Sequence, residues 1–288
     1  MSAIPRLDLV LAAMLVLLAP VAIVLGRRGG RFRGLTGWLW AWTQFSVLVV
    51  ALSRAMPAIS FPLLGIVMFV ALKQYYFLTP LRPQDRWAIF LTYASVPLAL
   101  WPAWAGSFTL LSGATVVGLF LLIPVLLSIS PRQPGLLDSL GRVLLGEFVF
   151  VFCAAHLGLM TQLPRGCLEL FAIVALPADL TQRLVGRMRP GAERVRPLLG
   201  LIVSAAIAAA AGYLLAADAG IIGIHGAGAG CLAALGTAAG SLVCDAVAQD
   251  LDRSPGDALL GRAAFLDRTL PLIYAAPAFY HYVRTITS

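Results

Sequence analysis

The chain has 288 residues, of which 60% are hydrophobic and only 12% charged, and its mean hydropathy is +0.90. Soluble domains carry about 25% charged residues, so this composition excludes an ordinary globular domain and a disordered chain. The net charge of +8 comes from basic residues that are all arginine except Lys73. Beside long apolar runs such an excess reports topology and contact with anionic lipid headgroups rather than nucleic-acid binding.

Apolar segments follow one another at roughly 8–26, 35–53, 57–72, 87–105, 108–130, 143–161, 167–182, 197–217, 220–248 and 264–283. Hydrocarbon leaves backbone polar groups no partner but the chain itself, so runs of this length predict membrane-crossing helices. The expected fold is all-α, a polytopic integral membrane protein of about ten spans. The first run, LVLAAMLVLLAPVAIVLG, is followed by RRGGRFRG rather than by small residues suited to cleavage, which reads as a retained span. With RRGGRFRG inside, alternation puts seventeen Arg and Lys residues on the inner face. Arg6, Arg54, Arg165 and Arg284 remain outside, so both termini are expected outside.

Cys153, Cys167, Cys231 and Cys244 show neither CxxC nor Cys/His spacing and read as small packing residues. On the sixth segment Glu147 and His156 lie nine residues apart, nearly opposite on an α-helix, which argues against one shared site. His156 and His225 read as hydrogen-bonded packing histidines in preference to members of a proton relay. The ninth segment contains Gly226-x-x-x-Gly230 and Gly236-x-x-x-Gly240, spacings that let another helix backbone approach closely. The same glycines make a homodimer an open possibility beside packing within one chain.

Acidic residues gather toward one face in the second half. Asp179, four residues before Arg183, reads either as a rim ion pair or as a carboxylate lining a cavity. Asp245 shares a helix face with Ser241. Asp250, Asp252 and Asp257 follow, and Asp267-Arg268 opens the last segment. Carboxylates with nearby arginines suit a hard divalent cation and phosphate groups, or else a solvated loop with ordinary interfacial charges.

The last segment, GRAAFLDRTLPLIYAAPAFYHYVR, resembles the C-terminal signature of the phosphatidate cytidylyltransferases (CDP-diacylglycerol synthases). In that family D-R-x-D precedes an apolar helix that often contains A-A-P-x-F. Gly261, Asp267, Arg268, Ala275, Ala276, Pro277 and Phe279 take the matching places. Upstream, LFAIVALPADLTQRLVGR is similar to the family's apolar helix ending in D-x-x-A-Y-x-x-G-R, through Asp179, Gly186 and Arg187. Gly240 matches the glycine of a G-D pair whose aspartate is Ser241 here. The likeness covers residues 143–285, which divides the chain into an N-terminal set of spans (1–142) and a cytidylyltransferase-like region (143–288).

The resemblance implies transfer of the cytidylyl group of CTP to phosphatidic acid or a related anionic phospholipid, with release of pyrophosphate and Mg²⁺ as cofactor. It implies catalytic roles for Asp267, Arg268 and Asp245, with Asp267 and Asp245 as metal ligands. Asp179, Gly186, Arg187, Ser241 and Arg262 would hold substrate. Arg262 stands where the family has histidine, Leu270 replaces the second aspartate of D-R-x-D, and the signature lysines are absent. These departures keep two alternatives open: a catalytically inactive paralogue serving as a lipid-binding or partner subunit, and, less favoured, a lipid transporter. The implied location is the bacterial inner (cell) membrane, with the active face cytoplasmic.

Overall fold

The computed structural model describes residues 6–27, 33–79, 81–129, 134–187, 196–250 and 264–287. These form ten helical rods, with no strand among the described residues. In chain order the rods are α1 (Arg6–Arg27), α2 (Arg33–Arg54), α3 (Pro57–Leu78), α4 (Arg86–Trp104), α5 (108–129), α6 (Leu136–Met160), α7 (Cys167–Arg187), α8 (Arg196–Leu215), α9 (Gly223–Asp250) and α10 (Ala264–Thr287). Among the described residues five segments are long and apolar enough to cross a membrane: Arg6–Val24, Pro57–Leu78, Leu136–Met160, Leu198–Ala219 and Gly223–Val247. Outward-facing residues such as Val16, Leu17, Ile66, Leu121 and Ile202 are apolar. Apolar side chains outside as well as inside mark helices whose solvent is not water.

Where their ends meet, the start of one rod lies against the close of another, so the rods in contact run in opposite directions. Arg54, closing α2, pairs with Asp8 in the first turn of α1 and lies 3.7 Å from Glu169 in the first turn of α7. At the opposite end of the molecule Arg142, in the first half of α6, lies 3.7 Å from Asp250 at the close of α9. Tyr75 of α3 donates to the Arg142 carbonyl there at 2.9 Å.

The rod α6 starts at Leu136, earlier than its apolar run suggests, because its first turns, LLDSLGRVLLGE, are amphipathic. Its middle, Phe148–Cys153, is wound as π-helix, and Ser112–Leu119 of α5 is wound the same way. An inserted residue of this kind rotates everything beyond it by about 100°. Glu147 and His156 nevertheless meet different elements. Glu147 accepts from Ser95 of α4 at 2.8 Å. His156 lies among Phe108 of α5 and Tyr280 and His281 of α10, with its Nδ1 2.8 Å from the Phe152 carbonyl. His225 Nδ1 sits 3.2 Å from the Tyr282 hydroxyl, so both histidines hold packing positions with hydrogen bonds. Cys153, Cys167 and Cys231 carry free thiols.

The two glycine pairs of α9 face different neighbours. An added Cβ at Gly226 or Gly230 would run into the backbone of α8 at Gly212 and Ala208 respectively. At Gly236 it would lie 2.7 Å from Ala275 Cα, and at Gly240 2.7 Å from Pro271 Cα, both on α10. Between lipid-solvated helices there is little hydrophobic drive, so close backbone approach supplies the packing. These four glycines are thus occupied within one chain. Gln182 of α7 ties the same region together, donating through Nε2 to Ser204 at 3.1 Å and to the Ala234 carbonyl at 3.0 Å.

Between α3 and α4 a short 3₁₀ turn, Pro83–Asp85, is clamped by Arg82. Its guanidinium donates through Nη2 to Asp85 Oδ1 at 2.7 Å and through Nε to Oδ2 at 3.1 Å. Burial pushes the Asp85 carboxyl up, but the hydrogen bonds from Arg82 and Ser139 outweigh it and hold the group below its ordinary value. A depressed carboxyl stabilises the fold above the unfolded pKa near 4 and ceases to do so as pH falls through the folded value. Asp85→Asn is therefore expected to lower stability by about 1–3 kcal/mol at neutral pH. The gap from the parent should narrow on acidification in melting curves taken in detergent; a gap independent of pH would show that the charge is not what matters.

Candidate functional site

Asp179 is fully buried, and the reason lies on α2. Trp38 and Trp42, one turn apart and so on one face, both point their indole N–H groups at it. Trp38 Nε1 donates to Asp179 Oδ2 at 2.8 Å and Trp42 Nε1 to the same oxygen at 3.3 Å. Trp42 and Asp179 are 0% exposed. The carboxyl therefore joins α2 to α7 beneath the surface rather than lining an open cavity. Neither tryptophan was marked by any local signal as its partner, since 141 and 137 residues separate them from it.

Gly186 and Arg187 close α7, Ser241 and Asp245 lie in the last turns of α9, and Asp267 and Arg268 lie in the first turns of α10. All six belong to the Arg142 end of the molecule. The side chains at Arg187, Asp267 and Arg268 are not among those described, and Arg262 lies outside the described residues altogether. Asp245 is exposed, and Ser241 is half-buried.

The packing of α9 on α10 relates these residues. Gly236 meets Ala275, and Gly240 meets Pro271. The helices run antiparallel, so carrying that register four residues further sets Cys244 level with Asp267, and Asp245 immediately beyond it. Two acidic positions distant in sequence thus share a level at one end of the helix pair. Among the described residues no three His, Cys, Asp or Glu side chains converge as a metal cluster. Mg²⁺ held by one or two carboxylates and by phosphate oxygens does not require such a trio, and the exposed Asp245 side chain is an oxygen donor of the kind that chemistry uses.

Beside them, between α3, α6 and α9, lies an open cavity of about 380 Å³. Tyr75, Thr79, Asp138, Arg142 and Asp250 bring polar groups to it, and Leu137, Leu145 and Val247 supply apolar wall. Arg142 and Asp138, four residues apart, face it from one side of α6, and Asp250 faces it from α9. Apart from Asp250, named only within an acidic run, nothing in the sequence singles out this group, because its members come from three rods.

Comparison of the chain with models of known protein families, with curated proteins and with solved structures finds no match.

Proposed function

We propose that the ten rods are ten membrane spans with both termini outside and the Arg142 end in the cytoplasm of a bacterial inner-membrane protein. At that end the chain acts as a CTP-dependent cytidylyltransferase-like enzyme on phosphatidic acid or a related anionic phospholipid. One observation supports the reading above the others: the α9–α10 register brings Asp267 level with Asp245, at the end where the arginines concentrate. In the transfer, an oxygen of the lipid phosphate attacks the α-phosphorus of CTP and the bond to pyrophosphate breaks. Such reactions depend on positioning and on neutralising charge. Asp267 and Asp245 would hold Mg²⁺, which when bound neutralises charge on the phosphates. Arg187, Arg262 and Arg268 would orient the phosphates, since a guanidinium fork binds a phosphate through two hydrogen bonds.

Purified protein in detergent, given CTP, phosphatidic acid and Mg²⁺, is expected to form a CDP-lipid. Asp267→Asn should lower turnover by at least a hundredfold, with the protein still folded. A second reading rests on the burial of Asp179: its carboxyl serves the α2–α7 contact, as suits an inactive paralogue that binds lipid or a partner subunit. No turnover across several phospholipid acceptors, with folded protein confirmed by its melting curve, would favour that reading over the enzyme.

A further inference from the structure

The cavity between α3, α6 and α9 has a floor that the sequence leaves open at some expense. Gly141 lies inside helix α6, where glycine is less favourable than alanine by about 1 kcal/mol. Close packing does not explain it: a Cβ built there meets nothing within 4 Å. What the missing side chain leaves is room in the cavity, which Gly141 lines. This contrasts with Gly226 and Gly230, where backbone fills the space at once.

The charges around that space select its occupant. Among the described residues one guanidinium, Arg142, faces two carboxylates, Asp138 and Asp250, with 3.7 Å between Arg142 Nη2 and Asp250 Oδ2. A purely anionic group would meet the two carboxylates, and a purely cationic one the guanidinium. A group carrying both charges satisfies each side, its phosphate toward Arg142 and its ammonium toward the acids. A primary ammonium has three N–H donors to give them. Quaternary ammonium groups are held instead by aromatic cages, and the one aromatic lining residue among those described, Tyr75, has its ring engaged by Tyr76 and Phe150. The volume of about 380 Å³ falls within the range of small-molecule sites, and the apolar wall suits the glycerol and first methylenes of a lipid.

We propose that this cavity binds a phosphoethanolamine group, a phosphate and a primary ammonium joined by two carbons. It stands whether or not the chain transfers a nucleotide. The test uses the full chain in detergent, with binding of short-chain phosphatidylethanolamine, phosphatidylcholine and phosphatidylglycerol and of soluble phosphoethanolamine measured by calorimetry. The ethanolamine lipid is expected to bind at least tenfold more tightly than the other two lipids. Arg142→Gln and Asp250→Asn should each weaken it tenfold or more. Gly141→Leu should abolish binding while leaving the melting temperature unchanged or raised, which separates a blocked site from a lost fold. Soluble phosphoethanolamine binding as tightly as the lipid would support the headgroup chemistry and assign a soluble source; weaker binding assigns the lipid. Equal affinity for the three lipids, or undiminished binding by folded Gly141→Leu, would overturn the proposal.

Discussion

Replacing Gly230 with leucine is expected to leave little folded protein. The glycine sits against the backbone of α8 at Ala208, and Gly226, one turn earlier, sits against Gly212 in the same way. Because the obstruction is backbone rather than the end of a flexible side chain, no rotamer change relieves it, and α8 and α9 must separate. Overpacking of a close-packed interior costs about 1–3 kcal/mol and occasionally more, and here the separation spreads. Gln182 bridges α7 to Ser204 on α8 and to Ala234 on α9, so pulling the two apart breaks a partly buried hydrogen-bonded link as well. Gly141→Ala is the matched control, since its new methyl meets nothing; it should be neutral or stabilising by up to about 1 kcal/mol. Melting temperature and elution profile in detergent distinguish the two. A Gly230→Leu protein that melts with the parent would mean that α8 and α9 do not meet at this point.

That contact also shows what the sequence makes legible. The G-x-x-x-G spacing announces close approach because the smallness of glycine is itself the signal, yet spacing alone does not name the partner. Here one pair turns to α8 and the other to α10. The rods were legible for a similar reason, since length and apolarity are demanded wherever a chain must satisfy its own backbone in hydrocarbon. Residues 136–142 of α6 fell outside that signal because their pattern is amphipathic. The π-wound stretch at Phe148–Cys153 contains neither glycine nor proline to mark it. The acidic positions Asp245 and Asp267 were legible as charges beside apolar runs. Their common level was not, because it follows from the α9–α10 register. Asp179 invited a reading against Arg183, four residues away, whose side chain is not among those described; two hydrogen bonds that hold it come from indoles in the other half of the chain.

The indole pair leads to the second large effect. Trp38→Phe keeps an aromatic ring at the α2–α7 contact and removes the 2.8 Å donor to Asp179. A typical hydrogen bond contributes about 0.5–1.5 kcal/mol, and leaving a buried acceptor short of its donor costs about 1–3 kcal/mol, so Trp38→Phe is expected to destabilise by about 1–3 kcal/mol. Trp42→Phe should cost less, since its bond at 3.3 Å is longer. Asp179→Ala takes the acceptor from both indoles at once and leaves buried N–H groups to find another, which places it above either single change. If the carboxyl is an anchor, Trp38 and Asp179 are coupled. A double-mutant cycle with Trp38→Phe and Asp179→Ala should then return an interaction energy of about 0.5–3 kcal/mol, the range seen for residues sharing one hydrogen-bond network. If Asp179 instead serves substrate, Asp179→Asn would lower turnover while the melting temperature and the cycle showed little change. The geometry favours the anchor. A carboxyl with no exposed surface, held by donors from a neighbouring rod, is placed to fix α2 on α7 and so to set the position at which α7 delivers Gly186 and Arg187 to the arginine-rich end.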